Sequence, residues 1–162
     1  MSLGGGLNPA INAAVKALTD KGVHVIVAAG NEAQDACNFS PASEKTAITV
    51  GATEDTSDKV TNFSNIGGCL DIFAPGRKIK SAGIASNDAT QIFDGTSQAT
   101  PHVTGTVALI IGEFGNSSPA KMAKTLIGFA TKGVIPKNTL RGSPNVFLRV
   151  PFNKYNHHHH NY

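Results

Sequence analysis

The stretch DGTSQATPHV at residues 94–103 places one hydroxyl between a glycine turn and the start of a helix made of small residues. Gly95 lets the backbone turn tightly, so Ser97 falls on the first helical turn, where backbone N–H groups have no partner within the helix. Ala99 leaves room for a second molecule to approach the hydroxyl. This presentation is typical of a nucleophilic serine, so we predict that Ser97 is a catalytic residue.

The same stretch resembles the nucleophile motif of the subtilisin-like serine proteases (subtilases, peptidase S8), which usually reads Gly-Thr-Ser-Met-Ala-Thr-Pro-His-Val-Ala-Gly. Gln98 and Thr104 depart from that motif. Two further segments follow the family order: SLGGG at 2–6 is similar to the segment that lines the substrate cleft, and VIVAAGN at 25–31 to the strand that ends in the oxyanion asparagine. The similarity runs over residues 1–115 and is greatest to the fungal proteinase K and cerevisin-like branch. The chain is identified as the C-terminal part of a subtilase peptidase domain.

This resemblance implies a role for each matching residue. Ser97 would attack a peptide carbonyl, and the oxygen that becomes negative would accept hydrogen bonds from the Asn31 side chain and the Ser97 backbone N–H. An Asx turn after a glycine is the alternative role for Asn31. An extended peptide would add as a strand to one segment and place a side chain above a floor of small residues. The residues implied in substrate binding are Ser2, Leu3, Gly4 and Gly5 for the strand and Ala28, Ala29 and Gly30 for the floor.

The subtilase order of catalytic residues is Asp, His, Ser, and the first two motifs belong upstream of the cleft segment. We therefore expect this chain to lack the aspartate and the histidine of the triad and to be inactive alone. His102 lies five positions after Ser97 on the same helix and points about 140° away from it. His24 lies seven positions before Asn31, about 23 Å along an extended strand. Neither histidine is placed to act as the base.

Two cysteines are present, and subtilase topology brings their segments near each other. The resemblance therefore implies a disulfide between Cys37 and Cys69, provided that the protein matures in an oxidising compartment. Two buried free thiols are the alternative, because the spacing by itself does not distinguish them.

The resemblance also implies a structural calcium site. Asp71 corresponds to the carboxylate of a proteinase K-like site, which backbone carbonyls near Lys45 and Ala47 would complete. A surface aspartate that caps a loop is the alternative. No other cofactor is expected.

Apolar strands and helices alternate along the chain. Asn8 and Pro9 predict the cap and first position of a helix that Gly22 ends, and further helices should begin near Ser97 and Ser118. Apolar runs predict buried parallel strands at residues 23–29, 47–52 and 70–74. The core-facing helix residues should be Ile11, Ala14, Val15 and Leu18, then Val103, Val107, Ile110 and Ile111, then Met122, Leu126 and Ala130. The pattern predicts an α/β fold, a three-layer doubly wound, mostly parallel sheet that is incomplete at its N-terminus.

Length, composition and charge limit the size of the domain and the classes of partner that the chain can bind. A chain of 162 residues with 40% hydrophobic residues suits one globular domain, here residues 1–150, followed by a polar, histidine-rich tail at 151–162 that we expect to be disordered. The net charge of +3 is too small and too dispersed to predict nucleic-acid binding, and no apolar run has the length of a membrane span.

No signal peptide follows Met1. The resemblance implies an extracellular or vacuolar location, and the N-glycosylation triplets at 38–40, 62–64 and 116–118 accord with secretion.

Two functions stay open at this point. The chain is part of a serine endopeptidase whose Asp and His lie on another segment, or it is a non-catalytic peptide-binding pseudoenzyme or truncated remnant that keeps the cleft without the chemistry. An α/β-hydrolase is excluded, because no aspartate follows Ser97 and Ala99 stands where that fold has a glycine. Peptides or proteins are the expected substrates, and the N-terminal part of the peptidase domain is the expected partner.

Overall fold

A computed structural model describes residues 1–151 and places a five-stranded sheet at the centre of the molecule. The strands are β1 Gly5–Gly6, β2 Ile26–Ala28, β3 Phe39–Ser40, β4 Ile48–Thr53, β5 Ile72–Pro75, β6 Ile79–Ala82, β7 Thr90–Phe93, β8 Thr131–Lys132 and β9 Val146–Phe147. The helices are α1 Pro9–Asp20, α2 Thr96–Phe114, α3 Pro119–Phe129 and α4 Lys137–Leu140, with a 3-10 turn at Ala36–Asn38. The predicted tail lies outside the described residues, apart from Pro151.

The central sheet has the order β2-β4-β5-β9-β8. Its first four strands run parallel, and β8 is antiparallel to β9. The register pairs Ile26 with Ile48 and Val50 with Ile72, so these side chains point to the same face. Helices cover both faces, which confirms the predicted α/β, three-layer, mostly parallel architecture.

Helices α2 and α3 cover the face that carries Ile26, Val50 and Ile72. The residues that they bury against these strands include Val103, Val107 and Ile110 from α2 and Met122 and Leu126 from α3. Ile111 is half-buried beside the same cluster, and Ala130 is buried just after α3 ends. The core-facing residues predicted for these two helices are therefore confirmed.

Helix α1 begins where its capping signal predicts. The Oδ1 atom of Asn8 accepts hydrogen bonds from the backbone N–H groups of Ala10 at 3.0 Å and Ile11 at 3.4 Å, and Pro9 is the first helical residue. The helix ends at Asp20, two residues before Gly22, whose φ of +87° turns the chain toward β2.

The core face predicted for α1 is wrong at Ile11, Ala14 and Leu18, which are exposed. The helix buries Val15 and Thr19 instead, and Val15 packs with Val27 on the second face of the sheet. The reason is the position of the helix. Because α1 lies over β2, the edge strand, only a few of its side chains contact the sheet, fewer than its apolar residues suggested.

The short strands were not predicted from the sequence. Two of them, β6 and β7, form a separate antiparallel hairpin that is mostly exposed. Strands β1, β3, β8 and β9 have two residues each, which is too short to produce a hydrophobic alternation. Among the described residues no helix combines the length and the apolar character needed to cross a bilayer.

Cys37 and Cys69 form a disulfide, the pairing that the resemblance implied. The bond joins the 3-10 turn to the loop before β5, two segments that also share a backbone hydrogen bond from Ala36 N–H to the Ile66 carbonyl at 2.9 Å. No cysteine in residues 1–151 remains free. The crosslink ties the loop after β2 to the third strand of the sheet.

We predict that replacing both cysteines by alanine lowers the free energy of unfolding by about 3 to 4 kcal/mol, because the crosslink restricts an unfolded loop whose ends are 32 residues apart. Urea denaturation of the oxidised chain with and without dithiothreitol measures the difference. The double alanine variant is the control, because the reductant should leave its midpoint unchanged. Equal midpoints for the oxidised and reduced wild-type chain would show that the disulfide does not stabilise the fold.

Candidate active site

Ser97 lies on the first turn of α2, at the end of the sheet where the parallel strands terminate. Gly95 caps this helix with a φ of +152°, a conformation that favours glycine. A side chain at Gly95 would also meet Gln98, because a Cβ atom there would lie 2.7 Å from the Gln98 Oε1 atom. The first N–H groups of α2, including that of Ser97, have no acceptor within the helix. The predicted presentation of the hydroxyl is therefore present.

Ser2 connects the predicted cleft segment to Ser97. Its hydroxyl donates to the Ser97 backbone carbonyl at 2.8 Å, and the Ser97 hydroxyl lies 3.4 Å from the Ser2 carbonyl. These two contacts hold the segment at residues 2–6 across the start of α2 although the two segments are far apart in the sequence.

Asn31 is anchored to α2 through its side-chain oxygen. The Asn31 Oδ1 atom accepts hydrogen bonds from the Thr96 backbone N–H at 2.8 Å and from the Thr96 hydroxyl at 3.0 Å. The Thr96 hydroxyl in turn accepts from the Gly30 N–H at 3.2 Å, and Thr96 is fully buried. Because the oxygen of the Asn31 amide is held in this way, its Nδ2 group is left as a donor at the start of the helix that carries Ser97.

Asn65 holds the loop that presents Asn31, a role that the sequence did not reveal. Its Oδ1 atom accepts from the backbone N–H groups of Glu32 at 3.1 Å and Gln34 at 3.0 Å, and its Nδ2 group donates to the Ala29 carbonyl at 2.9 Å. The same Nδ2 group donates to the Glu32 carboxylate at 2.6 Å. Asn65 is fully buried, and a side chain at Gly30 would overlap it. The sequence Phe-Ser-Asn offered a match to the family but no sign of these partners.

A cavity of about 90 Å³ lies between the cleft segment and the end of β2. Its lining includes Ser97 and Asn31 together with six of the seven predicted substrate-binding residues, namely Leu3, Gly4, Gly5, Ala28, Ala29 and Gly30. The seventh, Ser2, contacts Ser97 instead. Phe39, Ser40 and Glu32 also line the cavity and were not predicted. The structure thus brings all the predicted cleft residues to one place.

The cleft segment has a free edge. Strand β1 pairs with β3 in a separate two-stranded sheet, with Gly5 opposite Ser40. The other edge of β1 has no neighbouring strand among residues 1–151, and Leu3 before it is exposed. An edge of this kind can accept an extended peptide through backbone hydrogen bonds.

Neither histidine of the described chain is positioned to activate Ser97. The His102 Nδ1 atom is 2.8 Å from the Gln98 carbonyl, so its ring is held against its own helix. The His24 Nε2 atom is 2.7 Å from Asn116 Oδ1, beyond the far end of α2. A helix of 19 residues is about 28 Å long, so His24 is remote from Ser97. Residues 1–151 therefore contain no histidine base for Ser97, while the four histidines at 157–160 lie outside the described residues.

A cluster of charges fixes the turn that leads into α2. Arg77 pairs with Asp94 at 2.8 Å and with Glu54 at 3.1 Å. The backbone N–H of Lys78 donates to Asp94 at 2.7 Å, and this bond, followed by the Arg77 guanidinium, lowers the pKa of the Asp94 carboxyl. Asp94 directly precedes Gly95, so these contacts fix the entry to the helix.

Asp71 lies at the opposite end of the sheet and borders a cavity of about 340 Å³ that the loop at 45–47 also lines. Although Asp71 retains exposed surface, the protein around it desolvates the carboxylate and raises its pKa, an effect that the hydrogen bond from Thr49 N–H at 2.8 Å opposes. No group of three or more His, Cys, Asp or Glu side chains forms a metal cluster in residues 1–151. The Asp71 carboxylate is one hard oxygen ligand of the kind that calcium prefers, so carbonyls of the loop at 45–47 and water would have to complete a calcium site here.

The sequence matches the family model described as the subtilase family over residues 1–146. The chain belongs to the subtilase family. It is 50% identical to the extracellular serine proteinase of Thermus sp. (strain Rt41A), over 94% of this chain and 37% of that protein. It is also 50% identical to alkaline protease 1 of Aspergillus clavatus, over 90% of this chain and 35% of that protein, and 47% identical to cerevisin of Saccharomyces cerevisiae, over 91% and 25%.

A solved structure supports the same assignment. The subtilase chain superposes on the crystal structure of a cold adapted subtilisin-like serine proteinase with a TM-score of 0.88 and 40% sequence identity, over 94% of this chain and 54% of that one. This subtilase chain therefore spans about half of that solved chain and about a third of the length of the Thermus and Aspergillus relatives, which are 37% and 35% covered.

We predict that Asn65→Ala destabilises the chain by about 3 kcal/mol, because it leaves the buried Ala29 carbonyl and the part-buried N–H groups of Glu32 and Gln34 without their partner. Urea denaturation measures the loss, and amide hydrogen exchange at residues 32 and 34 should become faster. The matched control is Asn87→Ala, at an exposed asparagine on the hairpin between β6 and β7. If the two variants unfold at the same urea concentration, Asn65 does not hold this loop.

Proposed function

We propose that this chain supplies the nucleophile, the oxyanion donor and the substrate cleft of a serine endopeptidase of the subtilase type. The observation that carries the proposal is the pair of hydrogen bonds from Thr96 to Asn31 Oδ1. They support it because they hold the Asn31 carboxamide against the first turn of α2, next to Ser97. Family membership supports the same chemistry.

In the proposed reaction the Ser97 hydroxyl attacks the carbonyl carbon of a peptide bond. The carbonyl oxygen becomes negative as the tetrahedral intermediate forms, and it accepts hydrogen bonds from Asn31 Nδ2 and the Ser97 N–H. Both donors are fixed before the substrate binds, so they need no reorganisation when the charge develops. In a subtilisin, loss of the equivalent asparagine donor costs about 2.7 to 4 kcal/mol of transition-state stabilisation.

The substrate is a peptide or an unfolded stretch of a protein. Its backbone would add to the free edge of β1, and the side chain before the scissile bond would enter the cavity above Ala28, Ala29 and Gly30. The Glu32 carboxylate also borders this cavity, so a substrate side chain there meets a negative group as well as small residues.

We place the aspartate and the histidine of the triad on a segment outside this sequence. Two observations support this: residues 1–151 hold no histidine base for Ser97, and the subtilase chain spans only part of its relatives. The Met1 N–H donates to the Ile26 carbonyl at 2.6 Å and the Met1 carbonyl accepts from Ala28 N–H at 3.1 Å, the pattern of a parallel pair. A strand leading into Met1 would therefore extend the sheet beyond β2. Without the base, Ser97 stays protonated at neutral pH, so the 162-residue chain alone has little activity.

A peptide-binding pseudoenzyme is the second candidate. The observation that favours it is Gln98, which directly follows Ser97 and whose buried Oε1 atom has no hydrogen-bond partner in residues 1–151. Under this proposal the cleft binds an extended peptide but leaves it intact. For both candidates the disulfide supports maturation in an oxidising compartment, and we propose an extracellular or vacuolar location.

We further propose that a structural calcium ion is held by the Asp71 carboxylate and by backbone carbonyls of the loop at 45–47. The ion would balance a carboxylate whose charged form is disfavoured by desolvation. It has no part in the proposed reaction, because Asp71 lies at the end of the sheet away from Ser97.

We predict that Asp71 makes the stability of the chain fall as pH rises in calcium-free buffer. Its folded pKa is raised above the unfolded value of about 3.9, so its contribution is fully present below that value and is lost as pH rises through the folded pKa. Asp71→Asn keeps an oxygen for the Thr49 N–H, and it should therefore gain stability relative to the wild type across this window.

Thermal unfolding of both proteins from pH 3.5 to 7.5, with and without calcium, measures this effect. Calcium should raise the Tm of the wild type and leave the Asp71→Asn variant unchanged. An equal rise in both proteins would place any bound calcium elsewhere, and parallel pH curves would contradict the role assigned to Asp71.

We predict that a peptidase extended upstream to include the Asp- and His-bearing segment reacts with a fluorophosphonate probe at Ser97 and loses labelling in Ser97→Ala. Asn31→Asp tests the oxyanion donor, because it keeps the Oδ1 acceptor for Thr96 and replaces the Nδ2 donor by an oxygen. The kcat for a peptide substrate should fall by about 10² to 10³ with little change in KM. Asn87→Asp adds the same charge at an exposed position and should leave kcat unchanged.

Three outcomes separate the candidates. Labelling that persists in Ser97→Ala would exclude Ser97 as the nucleophile. Peptide binding by the extended protein without labelling or hydrolysis would support the pseudoenzyme. Strong hydrolysis by the 162-residue chain alone would show that a base is present in it.

A further inference from the structure

The three N-glycosylation triplets of this chain differ in how the fold treats their third residue. The Ser40 hydroxyl is fully buried, where it accepts from Asn8 N–H at 2.8 Å and donates to the Asn8 carbonyl at 3.2 Å. The Ser64 hydroxyl is also buried, between Ala52 N–H at 3.0 Å and the Asn65 carbonyl at 2.9 Å. A transferase that must reach both the asparagine and the hydroxyl could use these triplets only before the chain folds.

The triplet at 116–118 is open to solvent in the folded chain. It lies in the irregular connection between α2 and α3, and both Asn116 and Ser118 are exposed. Ser118 precedes α3 at the capping position, yet its side chain makes no capping hydrogen bond. Both groups that define the acceptor are therefore accessible here at the same time.

The carboxamide of Asn116 is also oriented for modification. Its Oδ1 atom accepts from the Ser117 backbone N–H at 2.8 Å and lies 2.7 Å from His24 Nε2, which must donate because a carboxamide oxygen only accepts. With the oxygen held by two donors, the Nδ2 group points away from them. A glycosidic bond on Nδ2 leaves both of these hydrogen bonds intact.

We infer that Asn116 is an N-glycosylation site of this protein. The transferase would recognise the exposed side chains of Asn116 and Ser118 in the folded chain. In the reaction the Nδ2 atom bonds to the anomeric carbon of a lipid-linked pyrophosphoryl oligosaccharide. The bond from that carbon to the pyrophosphate breaks, the lipid pyrophosphate leaves with the electron pair, and Nδ2 loses one proton. The disulfide between Cys37 and Cys69 points to the oxidising compartment in which this transfer takes place.

A glycan at Asn116 would leave the cleft open and would cover apolar surface. Asn116 follows the C-terminal end of α2, about 28 Å from Ser97 along the helix, so a glycan there stands clear of the cleft. Asn116 borders a cavity of about 280 Å³ that is also lined by Phe114 and Phe129, whose rings stack at 5.5 Å. Phe114 is exposed, and the first sugar residues would shield this aromatic pair from water.

The full chain, secreted from a eukaryotic host through a fused leader, tests the inference. Peptide-N-glycosidase treatment in heavy-oxygen water, followed by peptide mass mapping, marks each formerly glycosylated asparagine as a labelled aspartate. We expect most molecules to be labelled at position 116, at an occupancy above that of Asn38 and Asn62. Ser118→Ala should abolish the label at Asn116, and the protein should migrate faster in gel electrophoresis by the mass of one glycan. The neighbouring Ser117→Ala and the conservative Ser118→Thr should both keep the label.

The readout is a mass label, so it does not depend on peptidase activity. An unlabelled Asn116 in a secreted chain would overturn the inference, whether or not the other two triplets are occupied. Label at Asn116 that survives Ser118→Ala would also overturn it, because the hydroxyl would then not define the acceptor.

Discussion

The hydrogen bonds from Thr96 to the side-chain oxygen of Asn31 are the constraint on which the site depends. They join the loop after β2 to the first residue of α2, two segments 65 positions apart in the sequence. Each bond contributes only about 1 kcal/mol to the stability of the fold. Their consequence is geometric, because one amide oxygen is engaged twice and the amide nitrogen is thereby left as the donor that we propose for a substrate. The chemistry of the site thus follows from which end of Asn31 the fold uses.

Stability comes from a different set of contacts. Helix α2 lies across β2, β4 and β5 and buries Val103, Val107 and Ile110 against them, at about 1.5 to 3 kcal/mol for each large side chain. This packing fixes the position and the tilt of the helix, and the polar contacts of Thr96 and Asp94 fix where its first turn begins. Ser97, which we propose as the nucleophile, is therefore held by the core of the protein rather than by a flexible loop.

The parts of the fold that follow from local physics could be predicted from the sequence. The Asn8 cap, the start of α2 at the glycine turn and the three buried strands each depend on a few neighbouring residues, and the structure contains all of them. The exposed side of α1 could not be predicted, because an amphipathic pattern does not reveal that the helix lies over an edge strand. Asn65 was missed for the same kind of reason. Its side chain makes four hydrogen bonds to three residues that lie 31 to 36 positions away in the sequence, and no local pattern encodes them.

Two aspartates show how the ends of the parallel sheet differ. Asp94, near the carboxyl ends of the strands, has its pKa lowered by the Lys78 N–H and the Arg77 guanidinium, so its contribution is present above the unfolded pKa and is lost as pH falls through the folded one. Asp71, at the amino ends, has its pKa raised by desolvation, so acid relieves it. Acidification therefore loosens the turn that leads to Ser97 while it removes an unfavourable charge from the other end of the sheet. The contacts of these two carboxyls therefore respond to acid in opposite directions, because hydrogen bonds and a cation stabilise the charged form of Asp94 whereas desolvation disfavours the charged form of Asp71.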